Sequence, residues 1–144
     1  MPAIRYIYTA TEPNPKLEKV VSNAVNIIAQ KLKLPSSFEI EVVELKDSTY
    51  AETLLHPRFN RIKINSKLDT KELIVPLIHE LIHLHQIYVK DLQVKRQGLI
   101  FWKGKLYDVK DTSKLSYEEY QNLPWEYDVV EKQKNLLEHL LKSF

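Results

Sequence analysis

The stretch Leu73-Ile74-Val75-Pro76-Leu77-Ile78-His79-Glu80-Leu81-Ile82-His83-Leu84-His85-Gln86-Ile87 decides how the chain is read. Its centre, His79-Glu80-Leu81-Ile82-His83, sets two histidines four positions apart with a glutamate after the first. On a helix each residue turns by about 100°, so the two histidines stand about 40° apart on one face, one turn removed. Two imidazoles in that relation point at one metal ion, and neutral imidazole suits zinc. Glu80 falls about 100° round from His79, beside the metal rather than on it, where a general base for a metal-held water must stand. The alternative is an amphipathic helix with its histidines in solvent. Against it, apolar residues occupy most of the circumference, and His79, His83 and Gln86 share one narrow polar stripe with Glu72 and Lys90. A helix so apolar is buried, and buried histidines need partners that a metal supplies.

Length and composition bound the rest. A chain of 144 residues fits one domain, 1–144, with a sizeable core. Apolar content of 44% and charged content of 28% are those of an ordinary globular protein. A net charge of +2 is too mild to imply nucleic acid by itself. With no cysteine there is no disulfide and no thiolate metal site, and with no signal-peptide pattern at the N-terminus the expected location is cytoplasmic. No apolar run approaches the ~20 residues of a membrane span, so no membrane partner is expected. Two glycines are too few for a phosphate-cradling loop.

Around the motif the elements follow from pattern. Arg5-Tyr6-Ile7-Tyr8-Thr9 is β-branched and aromatic and reads as a strand. Asn14-Pro15 looks like a helix N-cap followed by proline at the first helical position. Leu17, Val20, Val21, Ala24, Val25, Ile28 and Leu32 keep helical spacing, and Leu34-Pro35 ends that helix. Residues 38–45 largely alternate and form a half-buried strand; 47–57 are a connection or irregular hairpin. Arg61-Ile62-Lys63-Ile64-Asn65 alternates again, with the charged face expected of an edge strand. Asp69 to Glu72 resembles a capping box, and Pro76 kinks the motif helix or marks its true start. Leu99–Trp102, Lys103-Gly104 and Lys105–Val109 make a hairpin with a two-residue turn. Ser116 to Gln121 gives one helical turn or two, and Leu123-Pro124 opens a last helix.

A catalytic zinc takes three protein ligands and keeps one position open, so a third ligand is wanted. His85 lies about 200° from His83 and suits a core histidine bonded to backbone. His56 sits in a loop and His139 on the flank of the last helix. Glu126 is preferred. With Val129, Val130, Leu136, Leu137, Leu140 and Leu141 as the apolar stripe, it points along the core-facing side, where a bare carboxylate is expensive. A first-turn glutamate also caps a helix, and that reading stays open beside the ligand one. Asp128 lies on the opposite side and is expected in solvent.

The motif, a following hairpin, and Leu123-Pro124-Trp125-Glu126-Tyr127-Asp128-Val129 together resemble the small zincin-type metallopeptidases. The chain is similar to the ImmA/IrrE-like proteins and short phage-encoded gluzincins, and more distantly to SprT-like proteins. The first two commonly draw a glutamate ligand from a second helix, often as Glu-x-x-Ala; here Val129 stands at the small position. The resemblance covers about residues 60–135. It implies an α+β fold with a small antiparallel or mixed sheet packed on the motif helix, plus a C-terminal helix. It also implies zinc on His79, His83 and Glu126, with Glu80 as catalytic base in hydrolysis of a protein or peptide substrate.

An extended peptide is expected on the strand Arg61, Ile62, Lys63, Ile64, Asn65 by β-addition. Tyr107, Tyr117, Tyr120 and Tyr127 are the candidate oxyanion donors. The rival reading is a catalytically silent binding module on the same scaffold, associated with nucleic acid. Residues 90–110 carry six basic and two acidic side chains among Phe101, Trp102 and Tyr107, a composition that can bind single strands. An ordinary hairpin with one packed side and lysines in water is the favoured account of that stretch.

Overall fold

Alternation in the N-terminal half builds a mixed sheet. The computed structural model describes residues 2–45, 51–53, 60–96, 99–108 and 116–143. Within them β1 (Ala3–Tyr8), β2 (Ser37–Val43) and β4 (Arg61–Asn65) run parallel, and β3 (Ala51–Thr53) pairs antiparallel with β4. The order across the sheet is β1-β2-β4-β3. Phe38, Ile40, Val42, Ile62 and Ile64 point to one buried face. Against it lie α1 (Pro15–Ile28) and α2 (Ile74–Tyr88), which contribute Leu17, Val21, Val25, Ile28, Leu77, Ile78, Leu81 and Leu84 to the same core. Each fully buried side chain of this size stabilises the fold by about 1.5–3 kcal/mol relative to exposure.

Helix α1 starts as its sequence dictates: the Asn14 side chain accepts from the Leu17 amide, and Pro15 fills the first turn. It stops at Ile28, before the expected Leu34-Pro35 boundary. The Gln30 and Lys31 amides bond back to the Ile27 and Ile28 carbonyls, tightening the chain into a turn. That turn still drops Leu32 into the core, so Leu32 keeps a helical interval without being helical.

The reading of β4 as an edge strand is corrected. It is internal, paired with β2 on one side and β3 on the other. Its charges have another cause. Arg61 Nη2 and Nη1 lie 2.9 and 3.2 Å from Glu39 and Glu41 of β2, so the outer face carries cross-strand ion pairs. The backbone of Arg61, Ile62, Lys63, Ile64 and Asn65 is already engaged, which removes it as the site of β-addition. Of the 47–57 connection, Ala51–Thr53 is this added strand; the remainder lies outside the described residues.

Helix α2 begins at Ile74, so Pro76 is its third residue, where a missing N–H leaves no intrahelical bond unmade. Asp69 Oδ1 accepts from the Lys71 and Glu72 amides, and Glu72 reaches back to the Asp69 amide. The expected pair of hydrogen bonds forms, but on the turn before the helix; the helix itself opens after Leu73 with no side-chain cap.

A second, antiparallel sheet follows in the order β5-β6-β7: β5 (Leu92–Arg96), β6 (Leu99–Trp102) and β7 (Lys105–Asp108). The hairpin turn is Lys103-Gly104, with φ of 49° and 84°, both in the left-handed region that a two-residue turn requires. Lys103 Nζ lies 5.4 Å from the Trp102 ring and Lys105 Nζ 5.3 Å from that of Tyr107. Both rings pack towards a small core of Leu92, Ile100 and Trp125, as a hairpin with one packed side demands. A short helix α3 (Tyr117–Gln121), opened by a Ser116–Glu119 capping box, leads into α4 (Pro124–Ser143). Among the described residues the protein is therefore mixed α+β, with two small sheets and four helices, the last at the C-terminus. Among the described residues no helix is long and apolar enough to cross a membrane.

Candidate metal centre

Two histidines come from α2 and a carboxylate from α4. Tyr107 meets the Trp125 ring edge-on at 5.7 Å, which seats the first turn of α4 against the second sheet. The next residue, Glu126, turns towards the histidines of α2 and is only 5% exposed. On this helix Trp125, Val129, Leu136 and Leu140 are buried, whereas Val130 and Leu141 are 55% and 63% exposed. The apolar stripe is narrower than the spacing implied, and Glu126 is buried at its edge, about 40° from Leu140.

Glu126 Oε1 lies 2.9 Å from His83 Nε2, and Oε2 lies 3.7 Å from His79 Nε2. The imidazole rings stand 4.9 Å apart at 74°. One donor atom from each of the three residues falls within 4.8 Å of the others. His83 is nearly enclosed and His79 about one-third exposed, so the cluster opens to solvent on the His79 side. Glu80 is buried beside it, and its charge acts on both His83 and Tyr120. Tyr120 donates to Glu126 Oε1 at 3.1 Å. Burial and then the Glu126 charge push the Tyr120 pKa well up, so its hydroxyl keeps its proton.

The remaining candidates fall elsewhere. His85 Nδ1 meets the Lys33 carbonyl at 2.6 Å, as expected, but is half-buried rather than in the core. His139 is apart from the cluster, and its Nε2 has no hydrogen-bond partner among the described residues. His56 lies outside them. Asp128, expected in solvent, instead accepts from Gln86 Nε2 and Lys132 Nζ, each at 2.9 Å. Gln86 also bonds His83 Nδ1 and is fully buried. Its place in the polar stripe of an apolar helix, one turn past His83, was the only signal of that role.

Burial drives the His83 pKa down, but the Glu126 hydrogen bond and charge, then Glu80 and Gln86, outweigh it and leave it raised. Burial drives Glu126 up, but His83, His79 and Tyr120 leave it lowered. In the metal-free protein each partner thus favours the charged form of the other, imidazolium beside carboxylate. The raised His83 contributes stability in full below its ordinary 6.5 and loses it as pH rises through its higher folded value. The lowered Glu126 contributes above its ordinary 4.5 and loses it as pH falls through its lower folded value. Metal-free protein should therefore melt at progressively lower temperature from pH 6 to pH 9, and His83→Gln should flatten that slope. A wild-type melting temperature that holds or rises over this range relative to His83→Gln would contradict the charged pair.

In comparisons with known proteins, no family model, no curated protein and no solved structure matches the chain.

Proposed function

We propose that the protein is a zinc-dependent peptidase of the zincin type, the ImmA/IrrE-like and phage gluzincin proteins being those its motifs resemble. The observation that carries this reading is the convergence of Glu126 with His79 and His83, with Glu80 next to them on the same helix. The donor set fits the group: two imidazole nitrogens and a carboxylate oxygen make up the three-ligand complement of a catalytic zinc site. A buried carboxylate held against two imidazoles is also the arrangement in which a divalent cation replaces a proton.

When bound, zinc lowers the pKa of a water to about 7 and polarises a carbonyl. Glu80 takes the proton of the attacking water on its carboxylate and passes it to the leaving amine. Tyr107 faces Trp125 and Tyr127 faces Glu131, whereas the Tyr120 hydroxyl reaches the cluster: it donates to Glu126 Oε1 and would turn from there to a developing oxyanion. The substrate strand is assigned to β3, which lies beside α2 and, among the described residues, pairs only with β4.

The test is elemental analysis of purified protein beside a peptide-library digest with and without chelator. We expect about one zinc per chain, its loss in His79→Ala, and chelator-sensitive cleavage. Equal metal in wild type and His79→Ala removes the reading. Stoichiometric zinc with no cleavage across the library replaces the peptidase with a metal-bound binding module.

A further inference from the structure

Gln86 has no solvent contact, yet it sits on an apolar helix one turn past His83. Resting on the metal reading above, we propose that Gln86 is a positioning residue that fixes the tautomer of His83 and aims its Nε2 lone pair at the cation. The argument begins at α4. Gln86 Nε2 lies 2.9 Å from the Trp125 carbonyl oxygen and 2.9 Å from Asp128 Oδ2. Both are acceptors, and Lys132 Nζ donates to the same Asp128 Oδ2 at 2.9 Å. The amide nitrogen must therefore face α4, which turns Oε1 towards His83 Nδ1 at 2.9 Å.

An amide oxygen has no proton to give, so Nδ1 is the donor of that bond. A neutral ring protonated on Nδ1 leaves Nε2 bare, and Nε2 is the atom that faces Glu126. The orientation of the ligand thus runs along Lys132, Asp128, Gln86 and His83, each held by the one before. The same contacts also tie α2 to α4. The two roles separate because only one of them needs an acceptor at Oε1.

Wild type, Gln86→Met and Gln86→Glu are compared by chelator competition for zinc and by nitrogen-15 NMR of the imidazoles in the zinc-loaded protein. Wild type should show a slowly exchanging Nδ1–H on His83. Gln86→Met should lose that signal and bind zinc about 10–100-fold more weakly. Gln86→Glu, made together with Asp128→Asn so that an amide and not a second carboxylate faces it, keeps an acceptor for Nδ1–H while giving up both donor bonds to α4, and should retain the signal and recover most of the affinity. If that double variant is as poor as Gln86→Met, Gln86 is only an interhelical tie and the proposal falls. Unchanged affinity in Gln86→Met overturns it while leaving the metal reading intact, and a wild type that binds no zinc overturns both. Should Gln86→Met not fold, Asp128→Ala frees one amide hydrogen and should speed exchange of the same Nδ1–H. An unaltered exchange rate there counts against the proposal.

Discussion

Replacing Glu80 by glutamine is expected to lower turnover of any cleaved peptide by about 10²–10⁴-fold while zinc content stays at the wild-type level. At about 1.4 kcal/mol per decade, that is roughly 3–5.5 kcal/mol of transition-state stabilisation. The side chain is buried next to the metal cluster and not among its three ligands. Glutamine keeps its volume and an acceptor oxygen, but has no basic site for the proton of an attacking water. The effect should fall on kcat, because a proton moves only in the chemical step. Turnover within tenfold of wild type, at full zinc loading, would take the general-base role away from Glu80.

Glu126→Gln is the second large effect. We expect zinc affinity to fall by well over tenfold, more than about 1.4 kcal/mol, because an anionic ligand becomes a neutral amide. A carboxylate that merely capped the helix would cost about 1 kcal/mol of stability when lost and leave zinc nearly untouched. The metal-free protein should also suffer. Glu126 meets His83 at 2.9 Å and accepts from Tyr120, so it is not the bare buried carboxylate that its helix face alone suggested. Losing one such charged hydrogen bond costs about 2 kcal/mol near pH 6. Chelator competition and metal-free melts at that pH separate the outcomes, and unchanged zinc affinity would return Glu126 to capping.

The centre was readable where local geometry carries it. His79, Glu80 and His83 lie on one helix, and their relation follows from the turn per residue alone. Asn14-Pro15, Lys103-Gly104 and Leu123-Pro124 were equally plain, because each states a backbone requirement that few residues meet. What stayed hidden depends on partners distant in sequence. Arg61 and Lys63 suggested an edge strand, since nothing local says that Glu39 and Glu41 will stand beside them. Asp128 was placed in solvent by its angle on α4, but α2 crosses there and brings Gln86 to it. Val130 and Leu141 suit the apolar stripe by spacing and lie outside it by packing. β3 is three residues long, too short for any periodicity to register.

Trp125 and Glu126 are adjacent in the chain, yet one packs in the hairpin core and the other meets His83 of α2. The consequence concerns the order in which the centre can be assembled. Its two histidines are in register as soon as one helix exists, because no distant contact is needed to bring them together. The carboxylate needs a contact distant in sequence, the docking of α4 on α2, and the indole of Trp125 is packed on the hairpin sheet beside it. A cation held between α2 and α4 would therefore act as a cross-link over the whole intervening segment, and part of its binding energy would go into that closure. By linkage, whatever loosens the seat of the indole would also loosen the grip on a cation held by His79, His83 and Glu126.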